Sequence, residues 1–173
     1  KNYTIINSYD VTEQAEKKVL YEIRKSKKYS PNKKIIVTGC AAQINPKKYA
    51  EISDVDFVIG NKEKLESSTW NNLSNNGSIK VNNIFSDNKL HNNLIEKFEG
   101  KSRAYIEIQQ GCDHRCTFCI IPFGRGNNRS VPVGVIVNRI TKLVNNGYNE
   151  IVLTGVDITD YGKDLPGKPN LFQ

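Results

Sequence analysis

The chain reads as an α/β protein made of two successive α/β segments, and three observations point there. Short apolar runs alternate with stretches of helical period in the first half. A polar stretch rich in Asn and Lys, Ser86 to Lys101, interrupts that pattern. The strand–helix–strand alternation then resumes from Ala104 to Val156. Strands alternating with helices form a parallel sheet covered by its own crossover helices. Domains are therefore expected at 1–85 and 103–173, joined by a linker at 86–102.

The first run, Tyr3 to Asn7, predicts a short buried strand. Thr12 is placed to cap a helix through its hydroxyl, and Glu13 and Glu16 favour the positive end of the helix dipole. Ala15, Val19, Leu20 and Ile23 recur at helical spacing, and Pro31 requires the helix to stop before it. Lys34 to Gly39 is the next strand, with Cys40 at its carboxyl end. A helix starting near Pro46, a strand over Asp56–Gly60 and a helix over Glu63–Leu73 follow, the last with Leu65, Thr69 and Trp70 on one side. Within the linker, Leu90, Leu94, Ile95 and Phe98 suit a short helix.

The second segment opens with a strand over Ala104–Gln110, one face carrying Tyr105, Glu107 and Gln109. Ser130 and Pro132 read as the cap and first-turn residue of a helix with a buried stripe of Val133, Ile136, Ile140, Leu143 and Val144. Gly147 ends it, and Glu150–Val156 is the second strand. At roughly 30 residues per strand–helix unit, only about two units fit between Arg103 and Gln173. A barrel needs several more, so the sequence is expected to be a fragment of a longer chain.

The formal net charge is +7, which favours an anionic partner such as a nucleic acid. The densest basic run is Arg24, Lys25, Lys27, Lys28, Lys33 and Lys34. It suits a solvated helix end as well as an RNA contact. No apolar stretch approaches the ~18 residues of a membrane span, and the opening KNYTIINSYD has no signal-peptide core, so no membrane partner and a cytoplasmic location are expected. Four cysteines permit two disulfides. Their crowding, without a secretory signal, favours metal ligation in a reducing compartment.

Cys112, Cys116 and Cys119 are spaced C-x₃-C-x₂-C in the run GCDHRCTFC. Structural zinc sites usually take four ligands. A cubane iron–sulfur cluster normally takes four thiolates, so three leave one iron open to a cofactor or substrate. A zinc knuckle completed by His114 or Cys40 is the plainer alternative. The cysteine loop leaves the carboxyl end of a strand, where α/β barrels place their chemistry.

This spacing, with Phe118 just before the third cysteine, resembles the cluster loop of radical S-adenosylmethionine (SAM) enzymes. The runs VTGCAAQINP, GCDHRCTFCIIPFGRGNNRSVP and EIVLTGVDITDYGKDLPG together resemble the tRNA methylthiotransferases, most closely the branch acting on N6-threonylcarbamoyladenosine beside the anticodon. The resemblance implies an amino-terminal α/β domain followed by the start of a radical SAM partial barrel. It implies a 4Fe-4S cluster on Cys112, Cys116 and Cys119 and SAM chelated by the open iron. It further implies a one-electron donor such as a flavodoxin or ferredoxin, and a 5′-deoxyadenosyl radical that takes hydrogen from C2 of the modified adenine.

Phe118 would then lie near the SAM adenine, or serve as a plain core aromatic. Gly155, Val156 and Asp157 would bind the SAM amino group, though Asp157 also suits a simple turn. Arg125 and Arg129 flank Gly124 and Gly126 and suit an RNA phosphate, the threonylcarbamoyl carboxylate or SAM itself, or a solvated loop. In the family a second cluster uses three amino-terminal cysteines. Cys40 matches one, and Tyr9 stands where another is expected. Tyrosine is a poor cluster ligand, so one cluster is expected, at the triplet. Two rivals follow: a radical SAM enzyme without sulfur insertion, and a zinc-stabilised RNA-binding module.

Overall fold

The computed structural model describes residues 2–8, 12–73, 78–87 and 102–172. The helix expected from Leu90, Leu94, Ile95 and Phe98 lies outside them, as does Tyr9. The chain divides into two compact units. The first is Lys1–Asp87 together with Cys116–Arg125, and the second is Asn88–Arg115 together with Gly126–Gln173.

The first unit is a four-stranded parallel sheet in the order β1 (Tyr3–Ser8), β2 (Lys34–Gly39), β3 (Phe57–Ile59), β4 (Ser78–Lys80). Helix α1 (Glu13–Tyr29) crosses from β1 to β2. Thr12 caps it, its Oγ1 accepting from the Ala15 N–H at 3.2 Å. Val19 and Ile23 on its inner face pack with Ile35, Val37, Ala42 and Tyr49. The alternate residue of β2, Ile36, points to the other face with Phe57 and Ile59, under Trp70 and Leu73. Because β2 is covered on both faces, its apolar run is continuous rather than alternating. Burying each such side chain contributes about 1.5–3 kcal/mol before conformational entropy is counted.

Among the described residues before the linker, this unit also has three short α-helices, α2 (Cys40–Ile44), α3 (Pro46–Ala50) and α4 (Ser67–Asn71). The single helix expected over Glu63–Leu73 is not formed. Glu63–Leu65 makes one 3-10 turn, and Glu66 is extended (φ −96°, ψ 120°), so α4 starts afresh at Ser67. The break lets Trp70 Nε1 donate to the Lys64 carbonyl at 2.8 Å. α2 and β4 were not foreseen. Each is five residues or fewer, too short to establish a period.

In the second unit, β5 (Arg103–Gln110) lies between β6 (Arg129–Ser130), antiparallel to it, and β7 (Glu150–Gly155), parallel to it. In the first unit's Cys116–Arg125 segment, α5 spans Ile121–Arg125; α6 (Val133–Asn145) belongs to the second unit. Ala104, Ile106 and Ile108 of β5 pack with Ile136, Leu143 and Tyr161. Of the three residues that alternation assigns to one face, Tyr105 and Glu107 are exposed, but Gln109 is not. A register shift between Glu107 and Gln109 turns the Gln109 side chain inward, where it is fully buried.

Ser130 does not cap α6. Pro132 occupies that position without a side-chain bond, and the Ser130 hydroxyl accepts from the Gly162 N–H at 2.8 Å. Ile136 and Leu143 are buried as expected, but Val133 and Val144 at the edges of the expected stripe are half exposed, and Arg139 is buried instead. Its exposed neighbour Glu107 offers a backbone carbonyl 3.5 Å from Arg139 Nη1.

Candidate functional site

The sequence-derived site residues divide between the units. The first carries Cys40, Cys116, Phe118, Cys119 and Arg125; the second carries Cys112, Arg129, Gly155, Val156 and Asp157.

In the second unit, the site grows from the carboxyl ends of β5 and β7. Gln109 ties three backbone segments together. Its Nε2 donates to the Gly111 carbonyl and to Asn128 Oδ1, both at 2.7 Å, and its Oε1 accepts from the Asp157 N–H at 2.7 Å. The chain reaches Cys112 through Gly111, whose backbone has φ +77°. The Cys112 N–H donates to the Gly126 carbonyl at 3.1 Å. Arg115 folds back to donate to the Cys112 carbonyl at 2.8 Å, the His114 carbonyl at 3.1 Å and Asn127 Oδ1 at 2.7 Å. Asp113 accepts from the Asn128 N–H at 2.9 Å. Cys112 is thus positioned by backbone and side-chain bonds on both sides of it.

Asp157 Oδ2 lies 3.7 Å from Cys112 Sγ. His114 Nε2 is 3.3 Å from both Asp157 Oδ2 and Asp160 Oδ2. The Lys163 ammonium donates to Asp160 at 2.5 Å, and this bond, with help from His114, holds the Asp160 carboxyl below the usual range. The same bond raises the Lys163 ammonium above its ordinary value. A carboxylate close to a cysteine at the mouth of a parallel pair suits an ammonium-bearing ligand. A Cβ at Gly155 would lie 2.9 Å from Gln109 Oε1, so only glycine leaves the β7 terminus open at that point.

Arg129 is buried in β6, with Nη2 3.3 Å from Gln110 Oε1. Asn128 is 6% exposed and donates to the Asp160 carbonyl at 3.0 Å and Asp164 at 3.2 Å. Gln109, Arg115 and Asn128 did not stand out in the sequence. The available signal was a glutamine at the end of a β-strand directly before the cysteine loop.

In the first unit, Cys116 is exposed and Cys119 half-buried, and the Cys119 N–H closes a turn onto the Cys116 carbonyl at 3.0 Å. Phe118 between them is 91% exposed, which excludes a core role. Arg125 is half-buried at the end of α5. Phe123 meets Phe85 edge-on at 5.8 Å. Cys40 sits at the start of α2, and Asn61 joins it to the Cys116–Arg125 segment: Nδ2 donates to the Gly124 carbonyl at 2.7 Å and lies 3.6 Å from Cys40 Sγ. A Cβ at Gly124 would meet Cys40 Cβ at 3.0 Å. Buried Gln43 and Glu63 complete this polar patch, Gln43 Oε1 accepting from the Asn61 N–H at 2.9 Å and Glu63 Oε1 from Asn82 Nδ2 at 2.7 Å.

None of the four cysteines is in a disulfide. Each of the three thiols of the loop, exposed Cys116 and half-buried Cys119 in the first unit and half-buried Cys112 in the second, is a donor of the kind that iron takes. Among the described residues no helix is long and apolar enough to cross a membrane.

Residues 1–60 match the uncharacterized protein family UPF0004, and residues 106–166 match the radical SAM superfamily. The chain is 52% identical over 99% of its length to a threonylcarbamoyladenosine tRNA methylthiotransferase (MtaB) of Rickettsia prowazekii, covering 40% of that protein. It is 38% identical over 94% of its length to the protein of that name from Thermotoga maritima, covering 37% of it. A tRNA-2-methylthio-N(6)-dimethylallyladenosine synthase of Sulfurihydrogenibium is 35% identical over 93% of the chain, with 38% of it covered. The chain thus spans about two fifths of the length of these relatives.

Proposed function

We infer the function from one premise: the chain belongs to the radical SAM tRNA methylthiotransferase family. The protein of which it forms part is an enzyme that adds a methylthio group to N6-threonylcarbamoyladenosine at position 37 of tRNA. The observation that carries this reading is the 52% identity to a threonylcarbamoyladenosine enzyme along nearly the whole chain.

Cys112, Cys116 and Cys119 would hold a 4Fe-4S cluster, which with SAM supplies one-electron cleavage of a carbon–sulfur bond. The chain's own part is placement. Arg115 holds the Cys112 carbonyl at 2.8 Å, and Gln109 ties Gly111, Asn128 and Asp157 together beside it through three bonds of 2.7 Å. The Asp157 carboxylate and the open backbone at Gly155 and Val156 receive the SAM amino group, and exposed Phe118 offers a face to its adenine. Arg125 meets an anionic group of the RNA. Arg129, buried against Gln110, contributes by holding the preceding loop in shape. tRNA is the macromolecular partner, with a small one-electron donor protein.

Tyr9 supports a second reading, SAM cleavage without sulfur transfer, because it leaves Cys40 short of thiolate partners. One experiment on the full-length protein separates the two. Cys116→Ala should abolish 5′-deoxyadenosine formation. Iron content after anaerobic reconstitution should be near four per chain with Tyr9, and Tyr9→Cys should raise it and increase methylthiolated tRNA. Iron near eight with Tyr9 in place would show that another ligand completes the second site. Unchanged 5′-deoxyadenosine from Cys116→Ala would remove the assignment altogether.

A further inference from the structure

We propose that the outer face of α1 is an RNA-binding surface, following one strand of the tRNA through a row of cations and two stacking tyrosines. The proposal rests on the tRNA reading above and adds a surface to it. At about 100° per residue, Lys18, Tyr21, Arg24, Lys25, Lys28 and Tyr29 fall within an arc of about 140°. All six are exposed, Tyr21 at 60% and Tyr29 at 74%. From Lys18 to Tyr29 the row is about 16 Å long.

Two features separate this face from an ordinary solvated helix, and a third disfavours a bilayer as its occupant. Solvated helix faces usually interleave opposite charges at i, i+4 spacing. Here the only carboxylate between Lys18 and Tyr29 is Glu22, which lies off the arc and is half-buried. Among the described residues, Lys17 pairs with Glu13 at 2.9 Å and Lys48 pairs with Glu16, while no ion pair is recorded for Lys18, Arg24, Lys25 or Lys28. The acidic start of the helix is thus neutralised and the basic remainder is not.

Second, two tyrosines stand in the basic row rather than under it. Lys25 Nζ lies 5.7 Å from the Tyr21 ring centroid, so cation and ring already share one surface. Alternating cations and exposed rings is how proteins track single-stranded nucleic acid: cations take phosphates and rings take bases. Third, the apolar face of α1, Val19 and Ile23, is buried against its own sheet. The helix has no free apolar face to insert into a bilayer, which disfavours an acidic lipid surface as the occupant.

The test uses the full-length protein, unmodified tRNA, and equilibrium binding across a salt series. Each phosphate contact contributes roughly 0.7–0.9 to the slope of log affinity against log salt. Lys25→Gln with Lys28→Gln should lower the slope by about 1.5 and weaken binding roughly 20-fold near 0.15 M salt. Tyr21→Ala with Tyr29→Ala should weaken binding at least about fivefold with the slope unchanged. Lys25→Arg with Lys28→Arg should keep wild-type affinity, and 5′-deoxyadenosine formation without tRNA should be unaltered in all variants. If wild-type protein binds tRNA and the glutamine and alanine variants match it in affinity and slope, the proposal is wrong while the methylthiotransferase reading stands. If wild-type protein binds no tRNA yet binds phosphatidylserine vesicles, both fail together.

Discussion

Gly111 is the most constrained position next to the cysteine triplet, and Gly111→Ala tests whether its backbone sets Cys112. A Cβ added there would lie 1.9 Å from the Asn127 carbonyl oxygen, 2.6 Å from its carbon and 2.8 Å from the Gly126 oxygen. Carbon–oxygen contacts settle near 3.3 Å or beyond, so one backbone must retreat by more than about 1 Å. Neither is free to do so. Gly111 is held by Gln109, and the Asn128 N–H is held by Asp113. The positive φ of +77° adds about 1–2 kcal/mol for any residue with a Cβ. Overpacking adds about 1–3 kcal/mol, giving a loss of about 2–5 kcal/mol.

Gly147→Ala is the matched control. Gly147 has φ +90°, but a Cβ there meets nothing within 4 Å, so only the backbone cost of about 1–2 kcal/mol applies. Urea unfolding and iron per chain after anaerobic reconstitution read the two effects in the full-length protein. Gly111→Ala should lose more stability than Gly147→Ala and should lose iron, while Gly147→Ala keeps it. Equal losses with full iron in both variants would refute the argument that close backbone approach at Gly111 places Cys112.

Asn61→Ala removes the donor to the Gly124 carbonyl and should cost about 1–3 kcal/mol by urea unfolding, with faster maleimide labelling of Cys40; unchanged labelling would mean Asn61 does not shield that thiol. Tyr161→Phe deletes a buried bond to the Val131 carbonyl at 2.7 Å and should cost about 1 kcal/mol at pH 8. Burial, then the Asp164 charge, raises the Tyr161 phenol above its ordinary value, so its contribution is complete below about pH 10 and is lost as pH rises through the folded value. The gap between wild type and Tyr161→Phe should therefore shrink in thermal melts at pH 11 compared with pH 8, and a constant gap would contradict burial as the cause.

By itself the sequence determined the features that depend on local chemistry. Thr12 must cap because its hydroxyl is beside orphan N–H groups at the start of α1, and it does. The β2 run carries enough β-branched residues for a strand buried on both faces. The parallel α/β class followed from that alternation. The chemistry proposed for the triplet rests on ligand spacing, which is written along the chain.

What the tertiary structure decided is where side chains compete for non-local partners. The β5 register shift buries Gln109 and makes it the joint between three loops, which no periodicity encodes. Ser130 has the chemistry of a cap, yet Gly162, distant in sequence, takes its hydroxyl. Val133 and Val144 fit the helical stripe but lie at its edges and stay about half exposed, while Arg139 is buried. Phe118 has a core residue's chemistry and stands 91% exposed, because its turn is closed by the Cys116–Cys119 backbone rather than by apolar burial. For Gln109 and Ser130, local propensity is worth at most about 1 kcal/mol per residue, and a buried partner found through folding outweighs it.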